Sequence, residues 1–164
     1  MKFSSHTVQT HFESPLGRLI LAASDNTLCG LWFDGQPHLP DMSTWPSDPA
    51  HPVLQQAQAQ LSDYFAGRRS HFDLPLDLSS GTDFQQQVWR ALLNIPSGST
   101  CSYGALSAAI GKPSAVRAVG GAIGRNPLGI IVPCHRVIGA NGALTGYTGG
   151  LQHKVALLQL EGAL

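Results

Sequence analysis

The residues most able to carry out chemistry are a cysteine and a histidine that follow one another, Cys134 and His135. The thiolate is the reactive form of cysteine, and a neighbouring imidazole can take the proton of a thiol whose ordinary pKa is about 8.5. Pro133 directly precedes the pair, at the end of an apolar run from Ile130 to Val132. Because proline cannot donate to a sheet ladder, we predict a turn here that presents the cysteine as a nucleophile.

A core position is the alternative for this cysteine, because an isolated cysteine after an apolar run is often a small buried hydrophobe. On a strand, Cys134 and His135 would point to opposite faces, so a bend or a third group would have to unite them. Glu161, in the final turn of the last predicted helix, is a candidate partner for a histidine. An ordinary exposed terminal glutamate is the alternative, and the position of Glu161 alone favours that alternative.

The composition is that of a globular protein, with 43% hydrophobic and 12% charged residues among 164. We expect one compact domain or two small ones. The odd number of cysteines, without metal-ligand spacing, favours reduced thiols over a disulfide framework or a metal site: Cys29, Cys101 and Cys134. We find no apolar run of membrane length and no secretory leader, and therefore expect a cytoplasmic protein without membrane contact.

Opposite charges are concentrated in the two parts of the chain, although the formal net charge is zero. Eight acidic and four basic residues lie in residues 1–82, whereas six basic and two acidic residues lie in residues 83–164. Only the second part could therefore face a polyanion, which is a mild sign of nucleic-acid contact. An incidental imbalance of solvated charges explains the same numbers.

Residues 1–80 have the pattern of a small sheet and a helix. Three short apolar segments separated by turn residues predict an antiparallel meander, over residues 8–12, 19–23 and 28–33. Five prolines between Asp34 and Pro52 predict an irregular loop. The remaining predictions are a helix over 54–65, an extended segment over 72–78 and a domain boundary at 79–81.

Residues 81–164 have a mainly helical pattern. Thr82 and Gln85 have the spacing of a capping box, which predicts the start of a helix that continues to Ile95. A helix pair joined by a turn with Gly111 is typical of a helix-turn-helix, although many unrelated helix pairs share such turns. The two helices are predicted over 103–110 and from Ser114, as N-cap, to 124.

The second helix of this pair has two distinct faces. Its apolar face is formed by Val116, Val119 and Ile123, and its other face combines one arginine with two glycines, Arg117, Gly121 and Gly124. Each interior glycine costs about 1 kcal/mol relative to alanine, so Gly120 and Gly121 indicate the close approach of another surface. That surface could be nucleic acid, with Arg117 entering a base stack, or the protein itself. A glycine-rich loop from Gly139 to Gly150, with Tyr147 and Thr148, could wrap closely around a small ligand.

Five short motifs together resemble the O6-alkylguanine-DNA alkyltransferase family, also called methylated-DNA–protein-cysteine methyltransferases: 133–137 (Pro-Cys-His-Arg-Val), 117–122, Asn126-Pro127, 147–150 and Leu160-Glu161-Gly162. The resemblance is collinear over about residues 81–162 and looser over 1–80. It implies an α/β fold, with an N-terminal ribonuclease-H-like α/β domain (1–80). A mainly helical C-terminal domain (81–164) with a winged helix-turn-helix would follow.

The resemblance implies DNA repair by direct, irreversible transfer of the alkyl group of O6-alkylguanine to Cys134, in a single turnover that consumes the protein. His135 would take the thiol proton through a water, and Glu161 would orient and stabilise the imidazole. Asn126 would brace the turn that carries the cysteine. Tyr103 would donate to N3 of the departing base.

Other residues would bind the base and the DNA. The Thr148 N–H, beside Tyr147, would bind O6, and the carbonyls of Cys134 and Val137 would accept from the guanine amino group. The lesion would be flipped out of a duplex bound through the minor groove, with Arg117 in the vacated stack and Gly120 and Gly121 allowing close backbone approach. We expect a monomer that needs no cofactor and no metal.

Two alternatives stay open at this stage. A non-catalytic protein that binds alkylated lesions would share the helix pair and the charge asymmetry, and a cysteine hydrolase would share the Cys134-His135 pair. The sequence also leaves open the range of alkyl groups, activity on O4-alkylthymine, the transfer rate, the effect of alkylation on DNA affinity and the role of the loop over 34–52.

Overall fold

A computed structural model describes all residues from Met1 to Leu164. The N-terminal part, residues 1–80, contains three strands and one helix: β1 (Thr7–Ser14), β2 (Gly17–Ser24), β3 (Thr27–Phe33) and α1 (Pro52–Phe65). The C-terminal part, residues 81–164, contains α2 (Asp83–Leu92), β4 (Cys101–Ser102), α3 (Tyr103–Ala109), α4 (Val116–Gly124), a single 3₁₀ turn (Cys134–Arg136), β5 (Val137–Ile138) and α5 (Leu151–Leu160). A sheet-and-helix part is thus followed by a mainly helical part.

The predicted antiparallel meander is confirmed, with the strands in the order β1-β2-β3. The predicted helix over 54–65 is confirmed as α1, and it covers one face of the sheet with its apolar residues. Residues 34–51 are irregular, as the prolines predict. They cover the other face, where the Trp45 ring lies 6.0 Å from the Trp32 ring and 5.3 Å from that of Phe3.

The outer edge of β3 joins the two parts of the chain. At one end, Leu28 exchanges backbone hydrogen bonds with Pro75 and Asp77, at 2.7 Å and 2.9 Å. At the other end, the Leu31 N–H donates to the Pro127 carbonyl at 2.8 Å, and the Gly129 N–H donates to the Leu31 carbonyl at 3.0 Å. One strand edge therefore fixes the position of the segment that leads to Cys134.

The segment over 72–78, predicted as extended, makes a single parallel bridge between Leu76 and Leu28 rather than a full strand. Prolines are tolerated at sheet edges because they lack only the donor. Pro75 follows this rule, since its carbonyl accepts from Leu28 while its nitrogen donates nothing. The edge of β3 is thus free beyond Leu28 to pair with the Pro127–Gly129 backbone.

The C-terminal helices lie largely where expected, although α2 ends at Leu92 rather than at the predicted Ile95. The Thr82–Gln85 capping box at the start of α2 is confirmed. The helix-turn-helix of α3 and α4 is present, with Gly111 at φ +75° between them. Within the core, the Trp89 Nε1–H of α2 donates to the Ala122 carbonyl of α4 at 2.8 Å, so α4 is held against α2.

Two predictions for α4, the second helix of the pair, were wrong. Ser114 is not the N-cap, because Ala115 holds that position without a side-chain hydrogen bond. The turn closes instead through the backbone, where the Ala115 N–H donates to the Lys112 carbonyl at 2.9 Å. Val116 is 39% exposed, because the buried face of α4 begins one turn later, at Val119.

A short parallel pair of strands brings two distant segments of the C-terminal part together. Cys101 pairs with Val137, and Ser102 pairs with Ile138. Tyr103 directly follows β4, and the Cys134–Arg136 turn directly precedes β5. The pairing therefore places the start of α3 beside the turn that carries the cysteine and the histidine.

We expect Thr82→Ala to lower the free energy of unfolding by about 1 kcal/mol, because the change removes the side-chain acceptor of the Gln85 N–H at the start of α2. Urea unfolding of both proteins measures the difference. Thr100→Ala is a suitable control, since Thr100 is exposed and makes no side-chain hydrogen bond. Equal losses in the two variants would show that the cap contributes nothing.

Candidate active site

The predicted turn around Cys134 is a single 3₁₀ turn after Pro133. The Cys134 N–H donates to the Val132 carbonyl at 2.8 Å, and the Arg136 N–H donates to the Pro133 carbonyl at 3.0 Å. Cys134 is 7% exposed and lines a cavity of about 480 Å³. A cavity of this size is within the range of sites that bind small molecules.

Asn126 holds the two ends of the loop that leads to the cysteine. Its Nδ2 donates to the Val132 carbonyl at 2.9 Å and to the Cys134 Sγ at 3.1 Å, while its Oδ1 accepts from the Leu128 N–H at 3.0 Å. Within the loop, Ile130 has φ +72°, a strained conformation for a β-branched residue. The hydrogen bonds of Asn126 and the pairing with Leu31 keep the backbone in this conformation.

Burial raises the pKa of the Cys134 thiol. The hydrogen bond from Asn126 and the positive charge of Lys154 act in the opposite direction but do not outweigh burial. The sulfur is therefore a neutral thiol at rest. Reaction as a nucleophile requires a base that takes the proton as the sulfur attacks.

His135 has the properties of such a base. Its side chain is fully buried, and burial lowers its pKa, so the imidazole is neutral at pH 7. The Nε2–H donates to the Glu161 Oε2 at 2.8 Å. In this tautomer Nδ1 carries a lone pair, and Nδ1 is buried without a hydrogen-bond partner in the protein.

Glu161 is not an exposed glutamate, because its side chain is only 1% exposed and receives four hydrogen bonds. Its Oε2 accepts from Tyr64 Oη at 2.6 Å, His135 Nε2 at 2.8 Å and Arg136 Nη2 at 2.9 Å, and its Oε1 accepts from Arg136 Nε at 2.8 Å. Burial alone would raise the pKa of Glu161, but these donors outweigh it and lower the pKa to about 2. The carboxylate is therefore ionised and can stabilise a protonated imidazole.

The cavity in front of Cys134 has three further walls. One wall comes from α3 and α4, one from the glycine-rich loop over 139–150 and one from the irregular loop over 34–51. The lining residues of these walls are Tyr103, Gly120, Ile123 and Gly124, then Gly146, Tyr147 and Thr148, then Pro37 and His38. The structure therefore brings Tyr103, Gly120, Tyr147 and Thr148 together with Cys134.

The glycine-rich loop is held against both parts of the chain. Thr148 Oγ1 donates to the Gly124 carbonyl at 2.9 Å. A Cβ at Gly149 would lie 2.6 Å from the Phe33 ring, so only glycine fits beneath it. The Phe33 ring in turn stacks on His153 of α5, with ring centroids 4.3 Å apart. The backbone of Thr148 is thus fixed at the edge of the cavity.

The other predicted site residues lie at different distances from the cavity. His135, Glu161 and Asn126 lie behind Cys134, whereas Arg117 and Gly121 lie on the outer surface of α4. The Val137 carbonyl accepts from Lys154 Nζ at 2.6 Å, and Val137 does not line the cavity. Since a carbonyl oxygen has two lone pairs, one remains for another donor.

Sequence reasoning missed several residues of the site. Arg136 was named only within the motif over 133–137, and neither Tyr64 nor Lys154 was predicted as a site residue. Lys154 is fully buried, with its Nζ donating to the carbonyls of Val137 and Thr145. Adjacency to His135 was a usable signal for Arg136, whereas the chain offered no such signal for Tyr64.

Two absences are plain in the structure. No three histidine, cysteine or acidic side chains lie close enough together to hold a metal ion. None of the helices has the length and apolarity needed to cross a membrane.

Two family models match the chain, one in each part. The 6-O-methylguanine DNA methyltransferase ribonuclease-like domain matches residues 7–78, and the DNA binding domain of the same family matches residues 83–163. The chain belongs to this family. The resemblance seen in the motifs is confirmed, and so is the predicted α/β fold.

Relatives and solved structures agree with this assignment. A methylated-DNA–protein-cysteine methyltransferase of Mycobacterium tuberculosis is 53% identical over 149 residues, which are 91% of this chain and 88% of the relative. The constitutive enzyme of that name from Bacillus subtilis is 48% identical over 156 residues, or 93% of each chain. Two crystal structures are also similar, one of the M. tuberculosis O6-methylguanine methyltransferase and one of its complex with DNA, with TM-scores of 0.88 and 0.87. In both comparisons the sequence identity is 50%, and the match covers 96% of this chain and 93% of the other.

We expect Glu161→Gln to remove one acid-sensitive contribution to stability. A carboxylate whose pKa is lowered from 4.5 to about 2 stabilises the fold above pH 4.5, and this stabilisation is lost as the pH falls towards 2. At pH 7 the variant should lose about 3–5 kcal/mol, because Arg136 keeps a buried charge without its carboxylate. Urea unfolding at a series of pH values measures both effects.

Glu13→Gln is the control for this experiment, since Glu13 pairs with Arg18 in an exposed salt bridge. We expect it to change the free energy of unfolding by less than about 1 kcal/mol. If Glu161→Gln kept the full acid sensitivity of the original protein, another group would be responsible for it.

Proposed function

We propose that the chain repairs DNA by transferring the alkyl group of O6-alkylguanine directly and irreversibly to Cys134, once per protein molecule. The observation that carries the proposal is the buried Cys134 at a cavity of about 480 Å³, large enough to admit a nucleobase, next to a neutral His135 that is hydrogen-bonded to the ionised Glu161. Relatives about half identical in sequence carry the name methylated-DNA–protein-cysteine methyltransferase.

The reaction is a displacement at the alkyl carbon. The Cys134 sulfur forms a bond to that carbon, the bond between carbon and O6 breaks, and its electron pair stays on the guanine. The thiol proton passes to His135, through a water, and Glu161 stabilises the resulting imidazolium. A thiolate is a poor leaving group from the alkyl carbon of the thioether, so Cys134 is not regenerated and each molecule reacts once.

The departing guanine needs hydrogen bonds as negative charge develops on it. Tyr103 donates to N3, and the Thr148 N–H, beside Tyr147, donates to O6. The carbonyls of Cys134 and Val137 accept from the amino group, which distinguishes guanine from adenine. Asn126 keeps the sulfur in line with the alkyl carbon. No cofactor is required, because the thiol itself accepts the group.

The lesion reaches the cavity by base flipping, since O6 is inaccessible to the sulfur inside a duplex. The outer surface of α4 enters the minor groove, where Gly120 and Gly121 allow close backbone approach and Arg117 occupies the vacated stack. Arg117 is exposed and forms no ion pair within the protein, so its side chain is available to the DNA.

The protein acts as a monomer with an N-terminal domain of residues 1–80 and a C-terminal DNA-binding and catalytic domain of residues 81–164. The boundaries of the two family matches, 7–78 and 83–163, support this division. An active thiol also needs a reducing compartment, which favours the cytoplasm as the location.

We expect Cys134→Ala to abolish alkyl transfer while leaving duplex binding in place. Intact and peptide mass spectrometry after incubation with a duplex containing one O6-methylguanine should show one added methyl group per chain, on the peptide with Cys134. Cys101→Ala is the control, because Cys101 is a half-buried thiol outside the cavity. Binding without modification of the original protein would support a non-catalytic lesion-binding protein instead.

We expect Arg117→Ala to slow transfer from a duplex roughly 10- to 100-fold, because the flipped state loses the side chain that fills the stack and flipping costs a few kcal/mol. Transfer from the free base O6-methylguanine should change less than about twofold, since no flipping is involved. Arg18→Ala removes an equal charge from β2 as a control. A similar loss with both substrates would place Arg117 in the chemical step.

A further inference from the structure

One hydrogen bond to the catalytic side chains comes from the N-terminal part. Tyr64 lies near the end of α1 and is 2% exposed. Its hydroxyl donates to the Glu161 Oε2 at 2.6 Å, although the two residues are 97 positions apart in the chain. The same oxygen accepts from His135 Nε2 at 2.8 Å. The phenol of Tyr64 and the imidazole of His135 therefore share one acceptor atom.

The Tyr64 hydroxyl is not needed to orient the carboxylate. Arg136 already contacts both oxygens, with Nε donating to Oε1 at 2.8 Å and Nη2 donating to Oε2 at 2.9 Å. A bidentate guanidinium fixes the plane of a carboxylate. The ring of Tyr64 packs on Phe65 and Phe72, with centroids 5.2 Å and 5.3 Å away, and phenylalanine would pack equally well. The remaining effect of the hydroxyl is on the charge of Oε2.

We infer that Tyr64 is a positioning residue of the alkyl-transfer site, which acts through Glu161 to keep His135 in its neutral, proton-accepting form. The inference rests on the proposed function, in which His135 is the base. By donating a hydrogen bond to Oε2, the phenol offsets part of the negative charge on this oxygen, which would otherwise favour the imidazolium form of His135. The N-terminal part thus tunes the chemistry of a site whose nucleophile and base lie in the C-terminal part.

The other charged groups around this pair are not changed by removal of the hydroxyl. Arg136, Lys154 and Tyr147 face His135. Arg136 also faces Glu161, and Arg68 and Arg69 line a small cavity with it. A change in the titration of His135 after replacement of Tyr64 therefore reports the loss of the phenol.

The first test compares the titration of His135 in the original protein and in Tyr64→Phe, from the ring 15N shifts and without DNA. We expect the midpoint to move to higher pH by a few tenths of a pH unit or more. Replacement of Tyr64 by 3-fluorotyrosine makes the phenol a stronger donor and should move the midpoint to lower pH. This second variant keeps the hydroxyl and so answers the question even if Tyr64→Phe does not fold.

The control is Phe72→Leu, which removes a ring that packs on Tyr64 and leaves the hydroxyl in place. We expect no movement of the His135 midpoint in this variant. An unmoved midpoint in both Tyr64 variants, or an equal movement in Phe72→Leu, would overturn the inference.

The second test follows the single-turnover rate of methyl transfer at saturating duplex against pH. In Tyr64→Phe the acid limb of the profile should move to higher pH with the His135 midpoint, while the dissociation constant of the duplex stays within twofold. In a Glu161→Gln background the same substitution should have no effect, because the acceptor charge is gone. An acid limb that stays in place in Tyr64→Phe would refute the link to the base.

Failure of the proposed function gives a different result. The original protein would then transfer no methyl group at any pH, whatever the 15N titration shows. If the original protein transfers the methyl group but the pH profile of Tyr64→Phe does not move, the proposed function stands and the role of Tyr64 is rejected.

Discussion

The ionised carboxylate of Glu161 is the constraint on which the rest of the site depends. A carboxylate that is 1% exposed must be fully hydrogen-bonded, because a buried charge without partners costs far more than the protein can spare. Its donors come from α1 and from the turn that carries the cysteine, while Glu161 itself caps α5. Arg136 extends the network to the turn that follows α2, because its Nη1 donates to the Ile95 carbonyl at 2.6 Å. One charge thus fixes four segments of the chain.

Burial sets the resting state of the reactive groups. It raises the pKa of the Cys134 thiol and lowers that of His135, so the pair rests as thiol and neutral imidazole. In the proposed reaction, proton transfer from Cys134 to His135 becomes favourable only as the sulfur bonds to the alkyl carbon. A thiol held in this way is less open to oxidation than an exposed thiolate. This protection matters for a residue that can react only once.

The N-terminal sheet contributes to the site without supplying a nucleophile or a base. The edge of β3 pairs with the backbone at Leu128, which fixes the loop braced by Asn126. At the end of the same strand, Phe33 covers Gly149 and stacks on His153. These contacts hold two walls of the cavity, and the wall formed by Pro37 and His38 follows directly after β3. The sheet therefore acts as a common support for the cysteine loop and the glycine-rich loop.

Patterns of neighbouring residues were enough to predict the features that depend on local chemistry. Alternating apolar residues, the Thr82–Gln85 capping box and the Gly111 turn predicted elements that the structure contains, because their signals lie within a few residues of each other. Local rules failed at Ser114 and Val116, because the turn closes through the Ala115 backbone and the buried face of α4 begins only at Val119. Only the tertiary structure joined Tyr64 to Glu161 and Leu31 to Leu128. These contacts form where the N-terminal and C-terminal parts pack against each other. No residue spacing in the sequence predicts them.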